Sequence, residues 1–150
     1  MSGKHPPIYL YTDGSSRGNP GPGGWGVVLV CGSMRKEMSG GETLTTNNRM
    51  ELTAVIEGLR AIKWNDATVH IWSDSSYVVE AVEKGWLSHW ISIGFKKKKN
   101  VDLWREYLAV SEGKDIHFHW LKGHAGHPEN ERCDEMAFAR ATEYSERVDE

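Results

Sequence analysis

The sequence predicts an α/β fold in which a mixed β-sheet is covered by helices. Three observations carry that expectation. Three strand-like runs fall between Ile8 and Leu44, helical spacing begins near residue 48, and from there strand-like and helix-like stretches alternate. At 150 residues, with 39% hydrophobic and 26% charged side chains, the chain fits one domain spanning 1–150, with a core over about 8–142 and short tails.

Ile8 to Asp13 reads as the first strand, and the GSSRGNPGPGG that follows is rich enough in Gly, Pro, Ser and Asn to read as a turn. Trp25 to Cys31 returns as a second strand. Arg35 to Leu44 forms a third, with a bulge or bend expected at Gly40 and Gly41. Leu52, Val55, Ile56, Leu59 and Ile62 then recur at three- and four-residue intervals behind an Asn48 cap, which marks a helix. Thr68 to Ser73 is the fourth strand. Ser75 caps a helix that ends near Gly85, Trp86 to Ile91 forms a short helical turn, and Val101 to Ser111 is helical again. In the fifth strand Ile116, Phe118 and Trp120 alternate with His117 and His119. A last helix follows Pro128 and carries Met136, Ala137, Phe138 and Ala141. No internal repeat or low-complexity linker interrupts this order.

A formal charge of −3 and a pI near 6.2 argue against a surface that grips phosphates everywhere. Placement matters more than the sum. Lys96, Lys97, Lys98 and Lys99 form one dense basic run, while Glu143, Glu146, Asp149 and Glu150 make the C-terminal end acidic. No apolar run approaches the roughly 18 residues that span a bilayer, so the protein is expected to have no membrane association and to stay in the cytoplasm. Cys31 and Cys133 are expected to remain reduced thiols.

Asp13 closes the first strand in YTDGSS and Asp74 closes the fourth in WSDSSY, so each acid sits where an apolar strand runs into small residues. A helical crossover between them makes the strands parallel. Adjacent strands about 4.8 Å apart then place both carboxylates at one sheet edge, where ligand sites in open sheets form. Each Asp alone would read as a turn or a cap. Glu51 is the possible partner of Asn48 in a capping box, yet a step of about 100° per residue leans it toward the sheet. Asp134 shares a face with Ala137, Phe138 and Ala141, which suits a charge that meets a cation, a salt-bridged arginine being the alternative. Crowded carboxylates repel unless cations neutralise them, and magnesium is the natural oxygen-liganded guest.

The stretches TDGSSRGNPGPGGWG, TTNNRMEL, SDSSYV, NVDLW and KGHAGHPENERCDEMA resemble bacterial type 1 ribonuclease H, in the family's order from about Ile8 to Ala141. This resemblance implies a ribonuclease H-like fold, its five-stranded mixed sheet ordered 3-2-1-4-5 with flanking helices. It implies hydrolysis of the RNA strand of RNA–DNA hybrids, leaving 5′-phosphate and 3′-hydroxyl ends, by a monomer with two Mg²⁺ ions or Mn²⁺ in their place. By position, Asp13, Glu51, Asp74 and Asp134 match the metal-binding acids and His124 the catalytic histidine, whose imidazole titrates near 6.5 and can shuttle a proton. His127, before Pro128, reads as a structural hydrogen-bonding residue. Asn19, Asn47 and Asn48 are assigned to the hybrid's minor groove, within reach of the 2′-hydroxyls that distinguish RNA. Thr46 matches a phosphate contact on the DNA strand, and Ser76 and Trp86 join the nucleic-acid-contacting set.

One region departs from the family pattern. Related enzymes often carry a lysine- and arginine-rich protrusion before NVDLW, whereas here Leu87, Ile91 and Ile93 occupy that helix and the following loop is short. Lys96 to Lys99 then replace the missing charge, or form a solvated loop. Two other readings compete with the nuclease. One is a hybrid-binding module of the same fold without catalysis. The other is a zinc site of His117, His119, His124, His127 and Cys133, which lacks a compact set of four soft ligands.

Overall fold

Ile8 and Leu10 point to one side of the first strand and Tyr9 and Tyr11 to the other, and this alternation decides how the layers form. The computed structural model describes residues 5–121 and 126–149. Among them, strands β1 (Ile8–Ser16), β2 (Gly21–Cys31) and β3 (Met34–Thr45) form an antiparallel meander. Helix α1 (Asn47–Arg60) crosses over to β4 (Thr68–Ser73), parallel to β1. Helices α2 (Ser76–Glu83), α3 (Trp86–Ser92) and α4 (Val101–Ser111) lead to β5 (Asp115–Trp120), parallel to β4, and α5 (Pro128–Asp149) closes the chain. The sheet order is β3-β2-β1-β4-β5, as the resemblance implied. No described helix is long and apolar enough to cross a membrane.

The main core lies on the α1 side. Ile8, Leu10, Val27, Leu29, Val69 and Ile71 of the sheet meet Leu52, Val55, Ile56 and Leu59 of α1, with Trp104 of α4 buried beside them. Each such aliphatic side chain contributes about 1.5–3 kcal/mol on burial. On the opposite face α5 packs on β1, β2 and β3, and a smaller cluster of Val28, Cys133 and Met136 forms beneath it. The thiol of Cys133 donates to the Tyr11 carbonyl at 3.0 Å.

Several local expectations change. GSSRGNPGPGG is mostly strand: β1 runs on to Ser16 and β2 starts at Gly21, leaving a turn of only four residues. The glycines of β2 are there for close approach. A Cβ on Gly24 would sit 2.3 Å from the Ala137 carbonyl oxygen, and one on Gly26 would sit 2.5 Å from that of Cys133, so the backbone of α5 rests directly on this strand. Gly40 and Gly41 pair regularly with Trp25 and Gly24, and the register shift falls instead between Gly21 and Gly23.

The cap of α1 is Thr46, not Asn48; its hydroxyl accepts from the Arg49 amide. Glu51 therefore lies too far along the helix to close a capping box. Trp120 is 52% exposed because β5 is an edge strand and its end projects past the core. Phe138 is 63% exposed and Asp134 is exposed as well, so the buried stripe of α5 is Cys133, Met136, Ala137 and Ala141. Asp134 flanks that stripe instead of lying within it.

Gly24→Ala should destabilise the fold by at least the roughly 1–3 kcal/mol typical of overpacking, because backbone, not a flexible side chain, opposes the new methyl. Chemical denaturation should show a lower midpoint with an unchanged slope.

Candidate active site

The last β1–β4 pair is Tyr11 with Trp72, so Asp13 and Asp74 each lie two residues beyond it at the same sheet edge. Thr12 ties the strands there, its hydroxyl donating to the Trp72 carbonyl at 3.1 Å. The turn that carries Asp74 is held from several sides. Ser75 donates its amide to the Ser73 hydroxyl and caps α2 with its own, and Leu121 donates to the Ser73 carbonyl. The Trp120 indole donates to the Asp74 carbonyl at 3.3 Å.

Glu51 arrives by a different constraint. A Cβ on Gly14 would lie 2.3 Å from the Met50 carbonyl carbon and 2.5 Å from the Glu51 nitrogen. Only glycine lets α1 touch β1 there, and that contact brings Glu51 beside the aspartates. One carboxylate oxygen from each of Asp13, Glu51 and Asp74 lies within 4.8 Å of the other two. Asp134 reaches the same place from α5 and hydrogen-bonds the Asp13 carboxyl. It stands outside the tight trio.

The electrostatics follow from burial. Asp13 is 4% exposed, and desolvation, then repulsion by Asp74, then the contact with Asp134, push its pKa up to about 8. Glu51 is raised well above the usual carboxylate range by burial first and by Asp13 and Asp74 next. The Gly14 amide donates to both and acts in the opposite direction. Oε1 of Glu51 is buried with no hydrogen-bond partner among the described residues. A converging set of hard oxygen donors, mutually repelling and partly orphaned, fits a divalent cation such as magnesium or manganese.

The other expected residues are distributed unevenly. Asn19, Thr46, Asn47 and Asn48 line one groove together with Lys99 and Asn100. Oδ1 of Asn19 accepts from the backbone amide of Asn47 at 3.0 Å, and Oδ1 of Asn47 accepts from the backbone amide of Ser16 at 2.6 Å. These bonds use the side-chain oxygens and not the NH₂ groups. Lys96, Lys97 and Lys98 are exposed outside that groove, Lys98 lying over the Trp90 ring. Ser76 is exposed in the first turn of α2, and Trp86 opens α3 with Lys84 over its ring. His124 falls outside the described residues.

Among the described residues the zinc set does not assemble. Cys133 is buried on the inner face of α5, and among the described residues the carboxylates are the only three candidate ligands whose ligand atoms all lie within 4.8 Å of one another. Two residues escape a reading by sequence. Asn100 joins the asparagine groove and accepts from Arg49 at 3.2 Å. Asn130, one turn before Asp134, is 1% exposed with neither amide atom partnered among the described residues. Nothing in periodicity separates such a buried amide from an ordinary first-turn residue.

This sheet order, with carboxylates gathered beyond β1 and β4, defines the ribonuclease H-like class of folds. The RNase H family model matches residues 5–142, and the chain belongs to the ribonuclease H family of metal-dependent nucleases. It is 57% identical to a ribonuclease H of Sulfurovum sp. over 87% of both chains. Against that of Neisseria gonorrhoeae it is 51% identical over 93% of this chain and 98% of the other. Among solved structures, LC9-RNase H1, described as a type 1 RNase H with the type 2 active-site motif, matches with a TM-score of 0.84 at 32% identity, over 96% of this chain and 76% of that one. LC11-RNase H1 in complex with an RNA/DNA hybrid matches with a TM-score of 0.65 at 26% identity, over 91% and 97%.

A raised Asp13 has a consequence for stability. With its pKa near 8 in the folded chain and 3.8 as the reference, the folded state binds more protons than the unfolded state between those values. Stability from this group is therefore lost as pH rises across about 4 to 8. Metal-free protein in chelator should melt lower at pH 8 than at pH 6, and Asp13→Asn should flatten that dependence. A wild-type melting temperature that rose over this interval would contradict the assignment.

Proposed function

We propose that the chain is an endonuclease that hydrolyses the RNA strand of RNA–DNA hybrids with two divalent metal ions, leaving 5′-phosphate and 3′-hydroxyl ends. The carrying observation is the convergence of Asp13, Glu51 and Asp74 within 4.8 Å, with Asp134 in contact with Asp13. These four acids would hold the ions, Mg²⁺ or Mn²⁺. Bound there, the ions supply activation of the attacking water and charge stabilisation of the leaving oxygen.

The remaining work belongs to the protein's own groups. The raised pKa values of Asp13 and Glu51 mean that both must lose protons as cations enter, so loading is favoured by rising pH. His124 moves a proton at the attacking or departing oxygen. Asn19 and Asn47, anchored by their side-chain oxygens, and Asn48 beside them offer amide hydrogens to ribose hydroxyls and base edges. Thr46 and Ser76 offer hydroxyls to phosphates, and Trp86 an exposed ring to a sugar or base of the DNA strand. All four acids come from one chain, so a monomer of a single domain suffices for this chemistry.

Asp74→Asn should abolish magnesium-dependent cleavage of a labelled hybrid while preserving the circular dichroism spectrum, because an amide supplies an oxygen without the charge. Near-normal turnover would sink the two-metal reading, and a wild-type chain that bound hybrid without cutting it would point to the binding module.

The lysine run is open to a separate test. Every phosphate that a lysine ceases to neutralise lowers the salt slope of duplex binding by about 0.9. Replacing Lys96, Lys97, Lys98 and Lys99 with glutamine should raise the Michaelis constant for hybrid and flatten its salt dependence, with saturated turnover nearly kept. An unchanged constant across a salt titration would leave the asparagine groove and Trp86 as the grip.

A further inference from the structure

On the face of the sheet shared with α5, the helix packs on β1, β2 and β3, and three histidines stand together on β4 and β5. His70 pairs in register with His117, and Trp72 pairs with His119, so the parallel strands set His70 beside both imidazoles. Its ring centroid is 5.1 Å from that of His117 and 5.1 Å from that of His119. Nδ1 of His70 lies 2.9 Å from Nε2 of His119. Tyr9 stacks on His70 at 5.4 Å, and Trp72 on His119 at 4.4 Å. The exposed His117 has its Nε2 3.0 Å from the Asp115 carboxylate.

We propose that His70, His119 and His117 form a second metal site, for a borderline transition-metal ion such as Zn²⁺, Ni²⁺ or Cu²⁺, distinct from the carboxylate site. Ion-to-nitrogen bonds of about 2.0–2.1 Å put two imidazole nitrogens about 2.9 Å apart at a right angle and about 3.3 Å apart in a tetrahedron. The His70–His119 spacing already falls at the short end of that range. In the free protein one ring donates an N–H to the other. On ligation the donor ring carries its proton on its other nitrogen, so no net proton is released and both lone pairs turn to the ion.

His117 supplies the third nitrogen through Nδ1 once its exposed ring turns. The exposed Asp115 side chain, now 3.0 Å from Nε2, follows the turning ring and gives the carboxylate–histidine support usual behind such ligands. Water completes the shell. Burial, with His119 and His117 next, holds His70 below the usual imidazole range, and Asp115 opposes them; neutral His70 is thus available as a ligand at neutral pH. Imidazole selects this class of ion, whereas the carboxylates select magnesium or manganese.

The test is calorimetric titration of the full chain with ZnCl₂, and separately NiCl₂, near pH 7.5 with saturating Mg²⁺. Wild type and Asp74→Asn should each bind one ion at the histidines. His70→Gln and His119→Gln should weaken that binding more than about tenfold, and Asp115→Asn by about tenfold. Cobalt absorption gives an independent readout, since Co²⁺ bound by imidazoles on wild type should lose its spectrum in the double variant His70→Gln/His119→Gln. Equal binding by wild type and the double variant, loss of binding in Asp74→Asn, or no saturable binding of either metal would each overturn the proposal. If the proposal fails on these readouts, the cleavage assignment stands unaffected, because hybrid hydrolysis is measured separately.

Discussion

Two helix backbones touch the sheet with no side chain between them, and the placement of Glu51 and Asp134 beside the strand-borne aspartates depends on those contacts. Gly14 admits α1, and Gly24 and Gly26 admit α5. A methyl group at any of these positions would meet backbone at under 3 Å, so the helices would have to stand off or tilt. Glu51 would then leave Asp13, and Asp134 would be drawn away with α5. The acids look like the defining feature of the chain, but the glycines decide whether they meet.

What the glycines bring together, electrostatics resists. Desolvation is the largest influence on both Asp13 and Glu51, ahead of mutual repulsion. The site therefore exists because the rest of the core holds it: α1 is anchored by Leu52, Val55, Ile56 and Leu59, far more apolar surface than one carboxyl can disrupt. Strain of this kind is usual where a cation is to be bound, and removing the charge relieves repulsion while destroying the ligand.

Much of this was legible in the residues. The β4 boundaries, the Ser75 cap and α4 follow from period and capping alone, and the parallel β1–β4 pair follows from the crossover. The sheet order came from the family resemblance. Illegible were features in which one residue type serves two purposes. Glycine in GSSRGNPGPGG signals a turn by composition, yet Gly24 at its end, like Gly26 just beyond it, serves contact with a helix more than 100 positions later. Thr46, Asn47 and Asn48 are all good caps, and only the backbone chooses Thr46. Trp120 and Phe138 look like core residues by type; their exposure depends on where an edge strand and a helix flank happen to end. His70 carries no signal of its own, because a single histidine in an apolar strand gains meaning only through its neighbours on the next strand.

The 12-residue β3 forms one border of the sheet, and a long border of this kind is a template on which another chain can grow. Arg35 and Glu37 stand there in ion pairs that reach α5: Arg35 binds Glu129 at 2.7 Å, and Glu37 binds Arg132 at 2.9 Å. A foreign strand arriving at that border would have to settle against a lattice of fixed charges, with Lys36 and Glu42 exposed or half-exposed beside it. The same bonds that fasten the last helix thus set charged side chains along the sheet border, the arrangement that discourages strand addition.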